Sequence, residues 1–154
     1  MEVKDIMVQR VVTINADATL KSAAKLMNQH EIGCLIAVDS RKIVGIITER
    51  DLLRKVLEKS RDPSKMKVCE IMSKKLVLGV PTMEITGAAR LMLKNNVKKL
   101  PIVVEGQLVG LITLTDVVRA TRIEHQMTDL IRELNQGGWM PPKRMQKVLD
   151  YYVS

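Results

Sequence analysis

Two stretches of the sequence decide the fold: VGIITERDLLR at Val44–Arg54 and VGLITLTDVVR at Val109–Arg119. The second stretch lies 65 residues after the first, and the same offset aligns VKDIM at Val3–Met7 with VCEIM at Val68–Met72. Because the two copies align without a gap, the chain is a tandem duplication. The sequence predicts a first repeat at residues 1–59, a linker at 60–67, a second repeat at 68–121 and a tail at 122–154.

Each repeat has the apolar pattern of a β-α-β-β-α unit. In the first repeat we expect strands at Val11–Ile14, Cys34–Val38 and Ile43–Ile47, a helix that starts at Asp17-Ala18-Thr19, and a second helix that opens at Thr48. In the second repeat we expect strands at Leu76–Gly79, Leu100–Val104 and Leu108–Ile112, and helices at Thr86–Leu93 and Thr113–Thr121. One repeat alone would have a marginal core, so the two copies are expected to pack together.

The composition is that of a folded domain with an excess of positive charge. The 154 residues are 46% hydrophobic and 27% charged, which provides enough apolar surface for a core. The 25 Lys and Arg residues exceed the 17 Asp and Glu residues, so the formal net charge is +8. This balance favours anionic partners, either phosphate-bearing ligands or nucleic acid.

Composition also argues against several classes of protein. No apolar run approaches the roughly 20 residues of a membrane span, and the charges in MEVKDIM are atypical of a signal peptide, so we expect a cytoplasmic protein without a membrane partner. Two cysteines without a CxxC pair and two histidines offer little for a metal site or a His-based active site. Aromatic residues are 2% of the chain, which argues against stacking platforms for single-stranded nucleic acid.

In each decisive stretch a Thr ends the strand and begins the helix, and an Asp follows three residues later. Thr48 and Thr113 are suited to cap their helices, and Asp51 and Asp116 place a negative charge in the first turn. Capping alone explains these four residues. The same geometry also suits a ligand, because helix N–H groups and a Thr hydroxyl bind phosphate, and a carboxylate accepts hydrogen bonds from both ribose hydroxyls.

The order of these motifs resembles a CBS-domain pair, a family named after cystathionine β-synthase. The resemblance covers Val3–Thr121 and rests on the two Gly-x-x-Thr-x-x-Asp turns and on LPIV at Leu100–Val103. It implies an α/β fold of tandem β-α-β-β-α CBS repeats with pseudo-two-fold symmetry, followed here by a C-terminal helical extension. In members that bind adenine nucleotides, the matching Asp holds the ribose and the matching Ser or Thr reaches phosphate.

The resemblance further implies two ligand sites between the repeats. One site would combine Ile112, Thr113, Thr115 and Asp116 with Met7, Val12, Ile32 and Gly33. The other site would combine Ile47, Thr48, Arg50 and Asp51 with Met72, Val77, Val97 and Lys98. The apolar members of each set would sandwich adenine.

Three basic residues, Arg50 and the adjacent Lys98 and Lys99, have more than one interpretation. Arg50 is either a solvated side chain paired with a neighbouring carboxylate or a phosphate clamp, since Arg binds phosphate in a bidentate manner. Lys98 and Lys99 occupy the place where relatives often carry a His-Arg pair that meets phosphates, and at most one of them serves a given site because adjacent strand residues point to opposite faces. The first repeat has Gly33-Cys34 at that place, so we expect the two sites to be unequal.

Together these features favour a regulatory, energy-sensing module that binds adenine nucleotides (AMP, ADP or ATP) or S-adenosylmethionine and has no catalytic cofactor. Ligand binding would change a conformation that a protein partner reads. CBS pairs usually dimerise through their helices, so we expect a homodimer, with the tail capping or extending the interface. The alternatives are a basic nucleic-acid-binding regulator and a ligand-free dimerisation module. An enzyme is disfavoured because the sequence has no evident nucleophile–base pair, metal cluster or Walker-type loop.

Overall fold

The structure, a computed structural model, describes Met1–Ala120 together with Arg132, Glu133, Gln136 and Lys143. The predicted helices of the tail fall on positions that, apart from these four, lie outside the described residues. The chain divides into two compact units. The first unit is Arg10–Leu76, and the second unit joins Met1–Gln9 to the chain from Val77 onward.

The first unit contains a three-stranded sheet and the helices that follow its strands. Its elements are β1 (Thr13–Asn15), α1 (Leu20–His30), β2 (Cys34–Asp39), β3 (Lys42–Thr48), α2 (Glu49–Leu52), a π-helical turn at Leu53–Leu57 that continues α2, and α3 (Val68–Ile71). The sheet has the order β1-β2-β3, with β1 parallel to β2 and β2 antiparallel to β3. The predicted β-α-β-β-α order of the first repeat is confirmed, while the short helix α3 was not predicted.

The second unit repeats this arrangement with fewer paired strand residues. Its elements are a 3-10 helix at Val3–Asp5, α4 (Ile85–Asn95), β4 (Lys99–Val104), β5 (Gln107–Thr113) and α5 (Leu114–Ala120). Strands β4 and β5 form an antiparallel pair. The predicted first helix and hairpin of the second repeat are confirmed: α4 begins one residue earlier and ends two later than predicted, β4 begins one residue earlier, and β5 is one residue longer at each end. The predicted second helix is found as α5, which begins one residue later than predicted.

The strand predicted at Leu76–Gly79 is wrong, because only Gly79 forms a bridge there, parallel to Ile102. In the first unit, the segment around β1 is joined to β2 by backbone hydrogen bonds. Two of these run from Ile36 N to Val12 O and from Ala16 N to Val38 O. The residues 65 positions further on from these two donors are Pro101 and Pro81. Proline has no backbone N–H, so neither bond can form in the second repeat.

Each unit is completed by the leading segment of the other repeat. Val68 N donates to Ala18 O at 2.9 Å in the first unit, and Val3 N donates to Met83 O at 2.8 Å in the second. Both valines have no exposed surface and belong to the hydrophobic core of the unit in which they bond. The VKDIM and VCEIM motifs are therefore exchanged with respect to the linear repeats.

Candidate ligand-binding turns

The turn between β3 and α2 is organised by reciprocal hydrogen bonds between Thr48 and Asp51. Oδ2 of Asp51 accepts from both the backbone N and the Oγ1 of Thr48, each at 3.0 Å. In return, Asp51 N donates to Thr48 Oγ1 at 3.2 Å. The extended conformation of Thr48 ends the strand and its hydroxyl caps the helix.

The turn between β5 and α5 has the same bonds. Oδ2 of Asp116 accepts from Thr113 N at 2.9 Å and from Thr113 Oγ1 at 2.6 Å, while Asp116 N donates to Thr113 Oγ1 at 3.2 Å. The capping interpretation of all four residues is therefore confirmed. Capping uses only one oxygen of each carboxylate, so it leaves Oδ1 for another partner.

The capping bonds limit what these turns can offer to a phosphate. Glu49 N, the first N–H of α2, donates to Gly33 O at 3.0 Å, and Leu114 N donates to Lys98 O at 2.9 Å. The second N–H, of Arg50 in the first turn, has no acceptor among the described residues, and the third is taken by the Thr48 hydroxyl. Most of the anion-binding capacity of a helix N-terminus is thus already used.

The apolar residues predicted as adenine walls fall into two groups. Ile47 and Ile112 have no exposed surface and are core side chains, so only their backbone could meet a ligand without rearrangement of the core. The others are half-buried at the edge of the core of their own unit: Val12, Ile32 and Met72 in the first unit, and Met7, Val77 and Val97 in the second.

A glycine in the second strand of each hairpin, β3 or β5, makes room for a methionine of the protein itself. A Cβ atom added to Gly45 would lie 2.6 Å from Met72 Sδ and 2.9 Å from the Ser73 carbonyl oxygen. A Cβ added to Gly110 would lie 2.5 Å from Met7 Sδ. The methionine that follows the 3-10 helix at Val3–Asp5, and the one that follows α3, therefore each pack directly against the strand that leads into a Thr-Asp turn.

The predicted basic contacts differ between the two turns. Arg50 is exposed and, within the described residues, forms no ion pair, so its predicted pairing with a neighbouring carboxylate is not observed. Thr115 stands at the matching position of the second turn and is half-buried. Lys98 is half-buried beside Thr113, because its carbonyl oxygen accepts from the residue after that Thr.

The predicted site residues divide equally between the two units. The first unit holds Val12, Ile32, Gly33, Ile47, Thr48, Arg50, Asp51 and Met72, and the second holds Met7, Val77, Val97, Lys98, Ile112, Thr113, Thr115 and Asp116. Each unit therefore carries one full set of equivalent positions. The combination of members from both units into one site stays a prediction.

One residue at the first turn was missed by the sequence analysis. Lys55 Nζ lies 2.9 Å from Asp51 Oδ1 and donates to Ile71 O at 2.6 Å. The spacing of four residues between Asp51 and Lys55 on a helix predicts the ion pair. No local pattern predicts the bond to Ile71, which lies 16 residues further along the chain.

The described part of the chain contains neither a cluster of metal ligands nor a helix that could span a membrane. No three His, Cys, Asp or Glu side chains come together there in a group that could hold a metal ion. Every helix among the same residues is too short or too polar to span a bilayer.

Comparison with known proteins identifies the family. Residues 3–58 and 68–122 each match the CBS domain. CBS domain-containing protein YhcV of Bacillus subtilis is 37% identical over 114 residues, which are 74% of this chain and 81% of that protein.

Solved structures give the same result. A protein with CBS domains from Burkholderia ambifaria has a TM-score of 0.73 and 31% identity, over 79% of this chain and 93% of that one. The CBS domain pair of protein MJ0100, solved in complex with 5′-methylthioadenosine and S-adenosyl-L-methionine, has a TM-score of 0.70 and 30% identity, over 78% of this chain and 94% of that one. With two matched domains and the repeated turn geometry, this chain belongs to the CBS domain family as a tandem CBS pair.

Proposed function

We propose that the chain is a regulatory CBS pair that binds adenosine-containing ligands at its two Thr-Asp turns. The candidate ligands are AMP, ADP, ATP and S-adenosylmethionine. A bound ligand would shift the protein between conformations with different affinities for it, and a protein partner would read the shift. The proposal places the protein in the cytoplasm, acting as a homodimer without catalysis.

The observation that carries this proposal is the hydrogen bonding of the Asp116 carboxylate, which uses only one of its two oxygens. Its Oδ2 accepts two bonds from Thr113, which fix the orientation of the carboxylate. Within the described residues, its Oδ1 has no hydrogen-bond or ion-pair partner, although the residue is half-buried. An oriented carboxylate with one open oxygen is suited to accept the hydroxyl hydrogens of a ribose, as acidic residues do in dinucleotide folds.

The same geometry favours the nucleoside part of the ligand over its phosphates. The Thr113 hydroxyl gives its hydrogen to Asp116, so it is not available as a donor to a phosphate oxygen. The first N–H of α5 is also taken, by the Lys98 carbonyl. We therefore expect the ribose to contribute more to affinity at these turns than the phosphate group.

A similar protein supports the ligand class. The MJ0100 domain pair was solved with two compounds, 5′-methylthioadenosine and S-adenosyl-L-methionine. Both contain adenosine and neither carries a phosphate. The ligands of that protein are consistent with recognition through adenosine, which is the chemistry that the Thr-Asp turns of this chain offer.

Isothermal titration calorimetry with adenosine, AMP, ATP and S-adenosylmethionine tests the proposal. We expect micromolar binding of at least one ligand, and a loss of about tenfold to a hundredfold in affinity at the second turn in Asp116→Asn. That range corresponds to hydrogen bonds to a charged group, which are worth about 1.5–3 kcal/mol. Asp51→Asn measures the contribution of the first turn in the same way. Asn keeps a carbonyl oxygen for the Thr bonds, so the variants retain much of the cap.

The chain offers matched control variants. Asp5 and Glu70 each cap a short helix by accepting from a backbone N three residues earlier, at 2.8 Å and 2.5 Å. Asp5→Asn and Glu70→Gln therefore remove one capping charge from each unit away from the Thr-Asp turns. The proposed function would be overturned if the wild type bound none of the four ligands. It would also be overturned if the control variants lost as much ligand affinity as the Asp-turn variants.

The charge distribution favours one alternative. The first unit carries 14 Lys and Arg residues against 8 Asp and Glu residues, so it holds most of the net positive charge. Six of the basic side chains are exposed along one segment: Lys59, Arg61, Lys65, Lys67, Lys74 and Lys75. Salt-dependent binding of duplex DNA, without binding of any adenosine ligand, would favour a nucleic-acid-binding regulator instead.

A further inference from the structure

Lys55 connects the first Thr-Asp turn to the segment that completes the first unit. It lies in the π-helical turn that continues α2, four residues after Asp51. Its ammonium group is 2.9 Å from Asp51 Oδ1 and 2.6 Å from the carbonyl oxygen of Ile71. Ile71 is the last residue of α3, where carbonyl oxygens have no partner within the helix, so the ammonium also caps that end.

The second turn lacks such a cation in the part of the chain that the structure describes. The residue 65 positions after Lys55 is Ala120. Within the residues that the structure describes, no cationic side chain lies within 4.0 Å of Asp116. Two carboxylates that match in sequence and in their bonds to Thr therefore differ in charge compensation, since among the described residues Asp51 has a cationic partner and Asp116 has none.

This difference acts on the oxygen that a ribose would use. At Asp116, Oδ2 accepts from Thr113 and Oδ1 has no partner in the described part of the chain, whereas at Asp51 Oδ2 accepts from Thr48 and Oδ1 contacts the Lys55 ammonium. The ammonium of Lys55 is also held by the Ile71 carbonyl, so it is not free to swing away from Asp51. The Asp51 side chain is 17% exposed and the Lys55 side chain 44%, so water partly screens the charge of this pair, and its two short contacts are what place the ammonium at Oδ1.

We propose that Lys55 is a positioning residue that makes the two turns unequal, with Asp116 the strong acceptor for a ribose diol and Asp51 the weak one. This inference rests on the proposed function, because it concerns ligands with a ribose. Lys55 competes with the 2′-hydroxyl and 3′-hydroxyl for Oδ1 of Asp51. Hydroxyl recognition is therefore concentrated at the second turn.

The test compares adenosine with 2′-deoxyadenosine, which lacks one of the two hydroxyls. Each turn is studied alone, the second in an Asp51→Asn background and the first in an Asp116→Asn background. Calorimetry, or competition when binding is weak, gives the ratio of the two dissociation constants. We expect a ratio of about ten or more at the Asp116 turn and about threefold or less at the Asp51 turn.

Substitutions at Lys55 and at its counterpart Ala120 should then change the ratio in opposite directions at the two turns. In the Asp116→Asn background, Lys55→Met frees Oδ1 and raises the ratio to about ten, while Lys55→Arg keeps the ion pair and the low ratio. In the Asp51→Asn background, Ala120→Lys places an ammonium four residues after Asp116 and lowers the ratio. A purely structural role of Lys55 would change the affinity for both nucleosides together and leave their ratio unchanged.

The outcomes separate the two proposals. If adenosine binds but the ratio stays the same in both Lys55→Met and Ala120→Lys, the inference about Lys55 is overturned while the proposed function stands. If neither turn binds adenosine in the wild-type protein, both fail. Because the second substitution is in the other unit, a folding defect in Lys55→Met does not remove the test.

Discussion

Thr113 and Asp116 show how one pair of side chains can serve both folding and binding. The Thr hydroxyl accepts from the Asp backbone N and donates to Asp Oδ2, so the same oxygen caps the helix and aims the carboxylate. An N-cap that is fully used is a complete structural explanation for the Thr. The second oxygen of the carboxylate is the part that capping does not explain, and it carries the functional hypothesis.

Loss of the Thr113 hydroxyl should therefore lower both stability and ligand affinity. In Thr113→Val the side-chain volume is kept, but both bonds of the hydroxyl are lost, and we expect the free energy of unfolding to fall by about 1 kcal/mol. Urea denaturation without ligand measures this loss. Thr113→Ser is the control and should stay close to the wild type. An unchanged unfolding midpoint in Thr113→Val would show that the cap contributes nothing to stability.

At the scale of elements, each hairpin depends on a methionine from a distant segment. Met72 packs against a glycine of β3, and Met7 packs against a glycine of β5. A backbone bridge next to the glycine fixes the approach: Ile46 pairs with Ser73, and Val8 pairs with Leu111. The glycines are required here because of the close approach of another segment, since neither of them has a positive φ.

Alanine at these glycines should destabilise the two units to different extents. At Gly45 the new Cβ would meet the backbone oxygen of Ser73 at 2.9 Å, which cannot move alone, whereas at Gly110 the nearest backbone oxygen, of Val8, is at 3.2 Å. We expect a loss of about 2–3 kcal/mol for Gly45→Ala and about 1 kcal/mol for Gly110→Ala in denaturant unfolding. Equal losses, or none, would contradict the close contact at Gly45.

Gly87 in α4 provides the control for this pair. An added Cβ would lie 3.6 Å from Met83 Cγ, which is an ordinary contact, and the position is inside a helix. Gly87→Ala should therefore increase stability by about 0.5–1 kcal/mol, because alanine loses less backbone entropy than glycine in a helix. The sign of the change thus separates the crowded strand positions from the open helical one.

At the scale of the whole molecule, the compact units do not follow the order of the repeats. Val3 precedes the first repeat's sheet in sequence but is buried with Met92, Leu100 and Ile112 of the second unit. Val68 begins the second repeat but is buried with Leu20 and others of the first unit. Each repeat therefore contributes its first residues to the core that the other repeat builds.

Truncation of Val3 or Val68 should destabilise the compact unit whose core contains the valine. The sheet of the repeat to which the valine belongs in sequence should be much less affected. Val3→Ala should cost about 2 kcal/mol, because it leaves a cavity in the core of the second unit. We expect faster amide hydrogen exchange in β4 and β5, with β2 and β3 much less affected. Val68→Ala should show the reverse pattern. Faster exchange in β2 and β3 of Val3→Ala would contradict the exchange of segments.

Local sequence signals were sufficient to predict the repeat, its main strands and helices, and the capping Thr and Asp residues. These features depend on apolar spacing and on hydrogen bonds between residues three or four apart, which a sequence shows directly. The short second sheet was also encoded locally, since Pro81 and Pro101 lack the N–H groups that their counterparts use. The sequence shows the two prolines, but it does not show which hydrogen bonds they prevent. Those bonds are identified by the structure of the first unit, where Ile36 and Ala16 donate them.

Only the tertiary structure decided which segments pack together. Three features join residues that are far apart in sequence. They are the exchange of VKDIM and VCEIM, the packing of Met7 and Met72 against glycines, and the hydrogen bond from Lys55 to Ile71. Such contacts depend on how separate elements share a core, and no local pattern specifies them. For the same reason, the sequence determined that two Thr-Asp turns exist, whereas the fold determined that the carboxylate of Asp51 is paired with a lysine and that the carboxylate of Asp116 has no cationic partner among Met1–Ala120 and the four described tail residues.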